Sequence, residues 1–310
     1  MIDTLESRFR EAAPAGADFV SLRYLDERTE SLGVRQGVME PAKTTSDVGA
    51  MVTVMDRGGI GYAASSNLTP SGLAEAGRRA LAWARKSAGE AVTDFSRLPH
   101  GASSGEYQTP VVTPWTSVTL GEKLERLRAP CEQLMRDDRI VDSWARMVHV
   151  TAESLYLDSA GSRVHQQFEM LMPNMGAVAR EGTEAQRRTL HGQGAARQGG
   201  LEILDQLDFD DAAPRLAGEV LELLSAPDCP TGVTDVLLAP DQMILQIHES
   251  IGHPLELDRI LGDERNYAGT SFVTPDMFGT YRYGSDLLNV VWDPTRPNQL
   301  ASYGFDDDGY

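Results

Sequence analysis

The chain has 310 residues, with 28 Lys plus Arg against 46 Asp plus Glu, a formal net charge of −18, two cysteines and 41% hydrophobic residues. A chain of this length buries about 75% of the surface its unfolded form exposes and commonly splits into two domains, which argues against a disordered or disulfide-dependent protein. The acidic excess opposes binding to nucleic acid or an anionic membrane, because phosphate contact needs clustered cations, so a peptide, a cation or a small molecule is the better partner class. Cys131 and Cys229 are too few for a disulfide scaffold, and the start MIDTLESRFREAAP lacks a charged segment followed by an apolar one. A cytoplasmic protein is the expectation. No apolar run of about 18 residues is present, so no membrane span is expected.

Taken in order, an opening helix is expected around Thr4 to Ala13. The segment from Asp18 to Tyr62 reads as an antiparallel meander, because DFVSLRYLDERTESLGVRQGVMEP alternates apolar and polar residues, with Gly33 and Gly37 as turn points. DVGAMVTVMD then meets the Arg57-Gly58-Gly59 turn. Thr69 before Pro70 marks a helix start, with the Thr side chain as cap and Pro where no backbone N–H is needed. Leu73, Ala80, Leu81 and Ala84 carry that helix to about Ala88, as a layer on one sheet face. Residues 89–116 read as a long connection. A second helix spans about Thr119 to Arg136, and Pro130 should kink or split it. Strands flank a hairpin turn at Ser159-Ala160-Gly161. The polar, Gly-rich stretch 183–200 reads as an exposed loop or hairpin tip. A third helix, capped near Asp211 with Pro214 in its first turn, carries Leu216, Val220, Leu223 and Leu224, and TDVLLAP follows as a strand.

The chemistry is concentrated in DQMILQIHESIGHPLELD. Asp241 is a plausible cap, and Met243, Ile244, Ile247 and Ile251 form a helical apolar stripe that puts His248 and Glu249 on a helix. The pattern His248-Glu249-x-x-x-His253 is one residue longer than the H-E-x-x-H zinc helix, in which two imidazoles hold the metal and the Glu activates water. At roughly 100° per residue, side chains four apart differ by about 40° and side chains five apart by about 140°. A regular helix cannot aim both at one ion. Gly252 and Pro254 resolve this if Gly tolerates a distorted helix end and Pro stops the helix, turning His253 back. A histidine on such a helix is more often an ordinary hydrogen-bonded residue than a ligand. The adjacent Glu, the strand-to-helix entry and the Gly-Pro exit favour the metal.

HESIGHPLELD with TDVLLAPDQMILQI resembles the metal-site segment of the TldD/PmbA family of zinc metallopeptidases, on the TldD side. VRQGVMEP, GGIGYAASSNLTPSGLAEAGRRAL, DSAGSRV and YGFDDDG extend the resemblance over nearly the whole chain. It implies an α+β fold: an N-terminal antiparallel sheet covered by helices in residues 1–225, then a truncated, β-rich second domain bearing the metal-site helix in residues 226–310. It also implies hydrolysis of extended or unfolded peptides, and homodimers or heterodimers with a PmbA-like paralogue. Residue by residue, His248 and His253 match the family's two Zn²⁺ ligands and Glu249 its general base. A neutral imidazole binds zinc, the ion lowers the pKa of its water to about 7, and a carboxylate can take that proton. Glu256 matches a glutamate often found after the second His, as a candidate for orienting a ligand; a surface ion-pairing role is about as plausible.

The family's third ligand is a cysteine further along the chain. Cys131 and Cys229 both precede the motif in other contexts, so the third ligand is not found in this chain, and a fragment or a naturally shortened protein with an incomplete site is expected. The alternative function is therefore a non-catalytic, peptide-binding scaffold subunit. The acidic DFDDAAP and FDDDGY lack calcium-loop spacing and read as turns or caps. His149 and His165 read as structural, and 263–278 as either a substrate-covering or an ordinary loop.

Overall fold

Period-two alternation carries the chain into long strands, as the spacing predicts. The computed structural model describes residues 2–90, 92–191 and 195–310. After helix α1 (Ile2–Ala12) come β1 (Phe19–Arg35), β2 (Val38–Met39), β3 (Lys43–Asp56) and β4 (Gly59–Ser65), then helix α2 (Pro70–Ser87). β5 (Ser104–Gln108) lies within the connection expected over 89–116, and α3 (Leu120–Leu134) precedes the long hairpin β6 (Ile140–Asp158) and β7 (Arg163–Glu181). β8 (Glu184–Thr189), β9 (Arg197–Gln198), α4 (Glu202–Gln206) and α5 (Ala213–Leu223) complete this part. The strands form one sheet ordered β4-β3-β1-β6-β7-β5, with β2 on β1 and β8 and β9 on β7. All pairs are antiparallel except β5 with β7.

Register decides which face is covered. Leu22 and Tyr24 of β1 stand opposite Leu157 and Leu155 of β6, and Leu32 and Val34 opposite Met147 and Ala145, all on one face. The first group packs with α1 and α2 and the second with α3 and α5, so two apolar clusters lie side by side beneath one helix layer. α2 can approach because Gly59 and Gly61 have no side chain; a Cβ there would collide with the carbonyl oxygens of Ala84 and Ala80. Thr69 caps α2 through the Gly72 N–H, with Pro70 in the first turn, as expected.

Several sequence expectations change. Gly33 is not a turn point; it pairs with Arg146 inside β1, where its missing side chain leaves room for the Glu40–Arg146 ion pair. The turn falls at Gln36-Gly37, with φ of 50° and 74°. α3 runs on through Pro130. The proline costs about 3 kcal/mol in a helix interior, and burial of Leu127, Cys131 and Leu134 against the sheet offsets that at roughly 1.5–3 kcal/mol for a large apolar side chain. α5 has no side-chain cap, so Asp211 does not play that role. Within 183–200, β8 and β9 extend the sheet along β7, while Gly192, Gln193 and Gly194 lie outside the described residues.

The mixed helix-and-sheet class holds, but its expected β-rich second part takes another form. Among the described residues, 226–310 contain short helices and turns and no strand. TDVLLAP joins no strand ladder, and its Val236 and Leu237 are exposed. Alternation makes a strand only where another backbone supplies hydrogen bonds. The segment returns at its end to the sheet face opposite the helices. There the buried Gln166 side chain accepts from the Gly304 and Phe305 N–H groups and donates to the Phe305 carbonyl at 2.9 Å. Gln198 donates to the Leu300 and Ser302 carbonyls, and Arg23 pairs with Asp307 at 2.6 Å.

Candidate metal centre

The site begins at α6 (Pro240–Leu245), with Ala239 at the cap position and Asp241 in the first turn; Asp241 is thus not the cap. The helix then widens into a π-helix over Gln246–Gly252, followed by a 3-10 turn, His253–Leu255, and α7 (Leu257–Leu261). In the widened turn the His253 N–H donates to the His248 carbonyl, a bond spanning five residues. Residues five apart then stack one above the other. The His248 and His253 Nε2 atoms are 3.0 Å apart, with the rings edge to face at a centroid distance of 4.4 Å.

This geometry replaces the expected one. Gly252 has φ −63° and ψ −62°, within the right-handed helical region, so a left-handed exit does not turn His253 back. The widened turn does, and the five-residue spacing was the signal for it. π-bulges cluster at functional sites for this reason: they re-aim a side chain without ending the helix.

The surrounding groups define the tautomer. His253 Nδ1 lies 2.8 Å from Glu256 Oε1, and Arg259 contacts the other Glu256 oxygen at 2.9 Å and Glu264 at 3.5 Å. An ionised carboxylate only accepts, so Nδ1 carries the proton and Nε2 presents a lone pair toward His248. The hydrogen bond from His253, with the charge of Arg259 beside it, holds the Glu256 carboxyl below its ordinary range. Glu249 places its two oxygens 3.6 Å from His248 Nε2 and 3.9 Å from His253 Nε2. Glu249 and His248 are 61% exposed and His253 30%, which leaves the cluster open to a substrate.

The donor set suits a borderline-soft cation. His248, Glu249 and His253 each offer a ligand atom, all within 4.8 Å of one another. Two imidazole nitrogens at 2.0–2.1 Å from one tetrahedral zinc would stand about 3.3 Å apart, close to the separation here. The cysteines are elsewhere. Cys131 is buried on the sheet-facing side of α3, 3.3 Å from Ser143 Oγ, and Cys229 is exposed in the loop before α6. His149 and His165 bond Glu169 and Glu153 at 2.9 and 3.0 Å on the sheet, away from the cluster.

Parts of the chain are similar to known proteins. The family model described as PmbA/TldA metallopeptidase domain 1 matches residues 20–84, and that of the PmbA/TldA metallopeptidase C-terminal domain matches residues 231–310, which include the histidine pair. Two parts of the chain thus resemble domains of the PmbA/TldA metallopeptidases. Its similar relatives include metalloproteases of Methanocaldococcus jannaschii and Methanothermobacter thermautotrophicus, each 25% identical over 94% of this chain and covering 62% and 60% of their own lengths. A Synechocystis metalloprotease is 26% identical over 94% of this chain and 60% of its own. The chain thus spans about three fifths of the length of the curated relatives it matches. Its fold is similar to that of a Thermotoga maritima protein described as a candidate modulator of a DNA gyrase, with TM-score 0.57, 16% identity, and coverage of 75% of this chain and 50% of the other. Among the described residues, no helix is long and apolar enough to cross a membrane.

Two features of the site escaped sequence reasoning. Gln246 donates to the Tyr283 hydroxyl at 3.2 Å, and Ser271 donates to the Pro254 carbonyl at 2.6 Å, tying the segment after α7 to both ends of the histidine turn. Nothing local marks these partners, which are 37 and 17 residues away.

Proposed function

We propose that the chain acts in zinc-dependent hydrolysis of extended or unfolded peptides, within a metalloprotease of PmbA/TldD type. The observation that carries this is the pair of Nε2 atoms 3.0 Å apart with both Glu249 oxygens beside them. His248 and His253 would hold the ion, which when bound supplies Lewis acidity toward a peptide carbonyl and toward water. Glu249 is the general base that accepts the proton of the attacking water, its exposure giving it reach to substrate. Glu256 is a positioning residue that fixes the His253 tautomer, steadied in turn by Arg259. We divide the chain into residues 1–225, built around the sheet, and 226–310, bearing the site; the boundary follows the end of α5 at Leu223. A homodimer or a heterodimer with a PmbA-like paralogue, in the cytoplasm, completes this reading.

The test is zinc content by elemental analysis together with cleavage of an unfolded peptide by wild type and Glu249→Gln. Zinc bound by both proteins and cleavage by wild type alone is the expected result. Equal cleavage by the variant overturns the assigned role. The position of both cysteines away from the cluster favours a second reading, a non-catalytic peptide-binding scaffold subunit. A chain that binds no zinc and cleaves nothing alone, yet restores activity to a partner, would establish it.

A further inference from the structure

Beside the histidine turn lies a cavity of about 210 Å³. Its near wall is made by the same backbone that carries the cluster: Ser250 and Ile251 lie between His248 and His253, and Pro254 follows directly. The far wall is aromatic. Phe272 stands 6.3 Å from both Tyr281 and Tyr283, edge-on to the first and stacked with the second. These three rings remain about half exposed, so the cavity is open to solvent. Its volume is below the ~300–1,000 Å³ of pockets that enclose a whole small ligand. One side chain fits it.

We infer that this cavity is a specificity pocket that receives a single large apolar side chain, aromatic or branched aliphatic, from the peptide residue flanking the bond held at His248, Glu249 and His253. The proposal rests on the peptidase reading for its substrate. The occupant follows from three features: the pocket shares its wall with the candidate catalytic turn, its lining carries no charged side chain, and its size matches one residue. Aromatic pairs with offset or edge geometry add an attraction to a further ring that aliphatic walls lack. The Gln246–Tyr283 and Ser271–Pro254 hydrogen bonds hold the walls at a fixed distance from the turn, which makes the pocket a built feature of the site.

The experiment measures binding of capped hexapeptide amides that differ at one central position, Phe, Leu, Gly or Asp, to the intact chain by fluorescence anisotropy, with cleavage followed in parallel. At least about tenfold tighter binding of the Phe and Leu peptides than of the Gly peptide is expected, since a buried large side chain is worth that or more. Phe272→Ala should remove the preference, while Phe272→Leu keeps the wall apolar and most of it, and neither should alter zinc content. Uniform binding across the wild-type series, or a preference undiminished in Phe272→Ala, overturns the proposal. The two readings fail separately. An apolar preference without cleavage supports the pocket and counts against the peptidase, and cleavage without preference does the reverse.

Discussion

His248 Nε2 and His253 Nε2 stand 3.0 Å apart although five residues separate them, because the intervening turn is hydrogen-bonded from residue 253 back to residue 248. A regular helix would put these side chains on nearly opposite faces. The chemistry proposed for the chain depends on this one widened turn.

Gly252 is therefore dispensable for the pairing. Its φ and ψ suit any residue, and a Cβ would meet the Ile247 carbonyl oxygen at 3.3 Å, a tight contact that a small shift relieves. Gly252→Ala should fold with stability changed by no more than about 1 kcal/mol and with zinc binding intact. Thermal unfolding and zinc titration would check both. Loss of zinc with the fold preserved would show that the glycine matters for the site.

Glu256 should matter more than its surface position implies. Removing the carboxylate that fixes His253 Nδ1 leaves the tautomer free, and such changes typically cost 10–100-fold in metal affinity. Glu256→Gln should weaken zinc binding by about that factor with secondary structure unchanged. Competition with a chelator of known affinity would measure it, and an unchanged affinity would reduce Glu256 to a surface ion pair.

Alkaline pH should loosen the sheet through Tyr24. Burial first, then the nearby Asp26 and Glu153 charges, push its hydroxyl up to about 12 from an ordinary 10.0. The folded state favours the neutral phenol, so this stability is fully present below pH 10 and is lost as pH rises from 10 to 12. The loss should be roughly 2–3 kcal/mol, and Tyr24→Phe should not show that component. Urea unfolding at pH 9, 10, 11 and 12 for both proteins would decide.

Gly61 should tolerate no side chain. Gly61→Val drives a branched carbon into the α2 backbone at Ala80, and overpacking of this kind costs about 1–3 kcal/mol or more. A shift of the denaturant midpoint smaller than 0.5 kcal/mol equivalent would show that α2 moves aside freely.

Gln166 should anchor the end of the chain. Its side chain makes three hydrogen bonds to the backbone at Gly304 and Phe305 from a buried position. Gln166→Ala should raise hydrogen exchange across residues 300–310 without altering the sheet. Equal protection in the two proteins would transfer the anchoring to Gln198 and Arg23.

The sequence by itself determined what depends on neighbours within about one turn. Alternation made β1, β3, β6 and β7, Thr69 and Thr119 began their helices, and the order His-Glu-x-x-x-His announced paired imidazoles with a carboxylate. The same local rules failed where a distant partner competes. Burial under the sheet overrode Pro130, the Glu40–Arg146 pair claimed Gly33, and TDVLLAP stayed unpaired because alternation cannot supply a second backbone. Only the tertiary structure decided that the histidine turn widens, that Phe272, Tyr281 and Tyr283 gather beside it, and that residues 300–310 return to Gln166. Those outcomes are set by contacts up to 139 residues apart, whose energy is realised only once the chain has closed on itself.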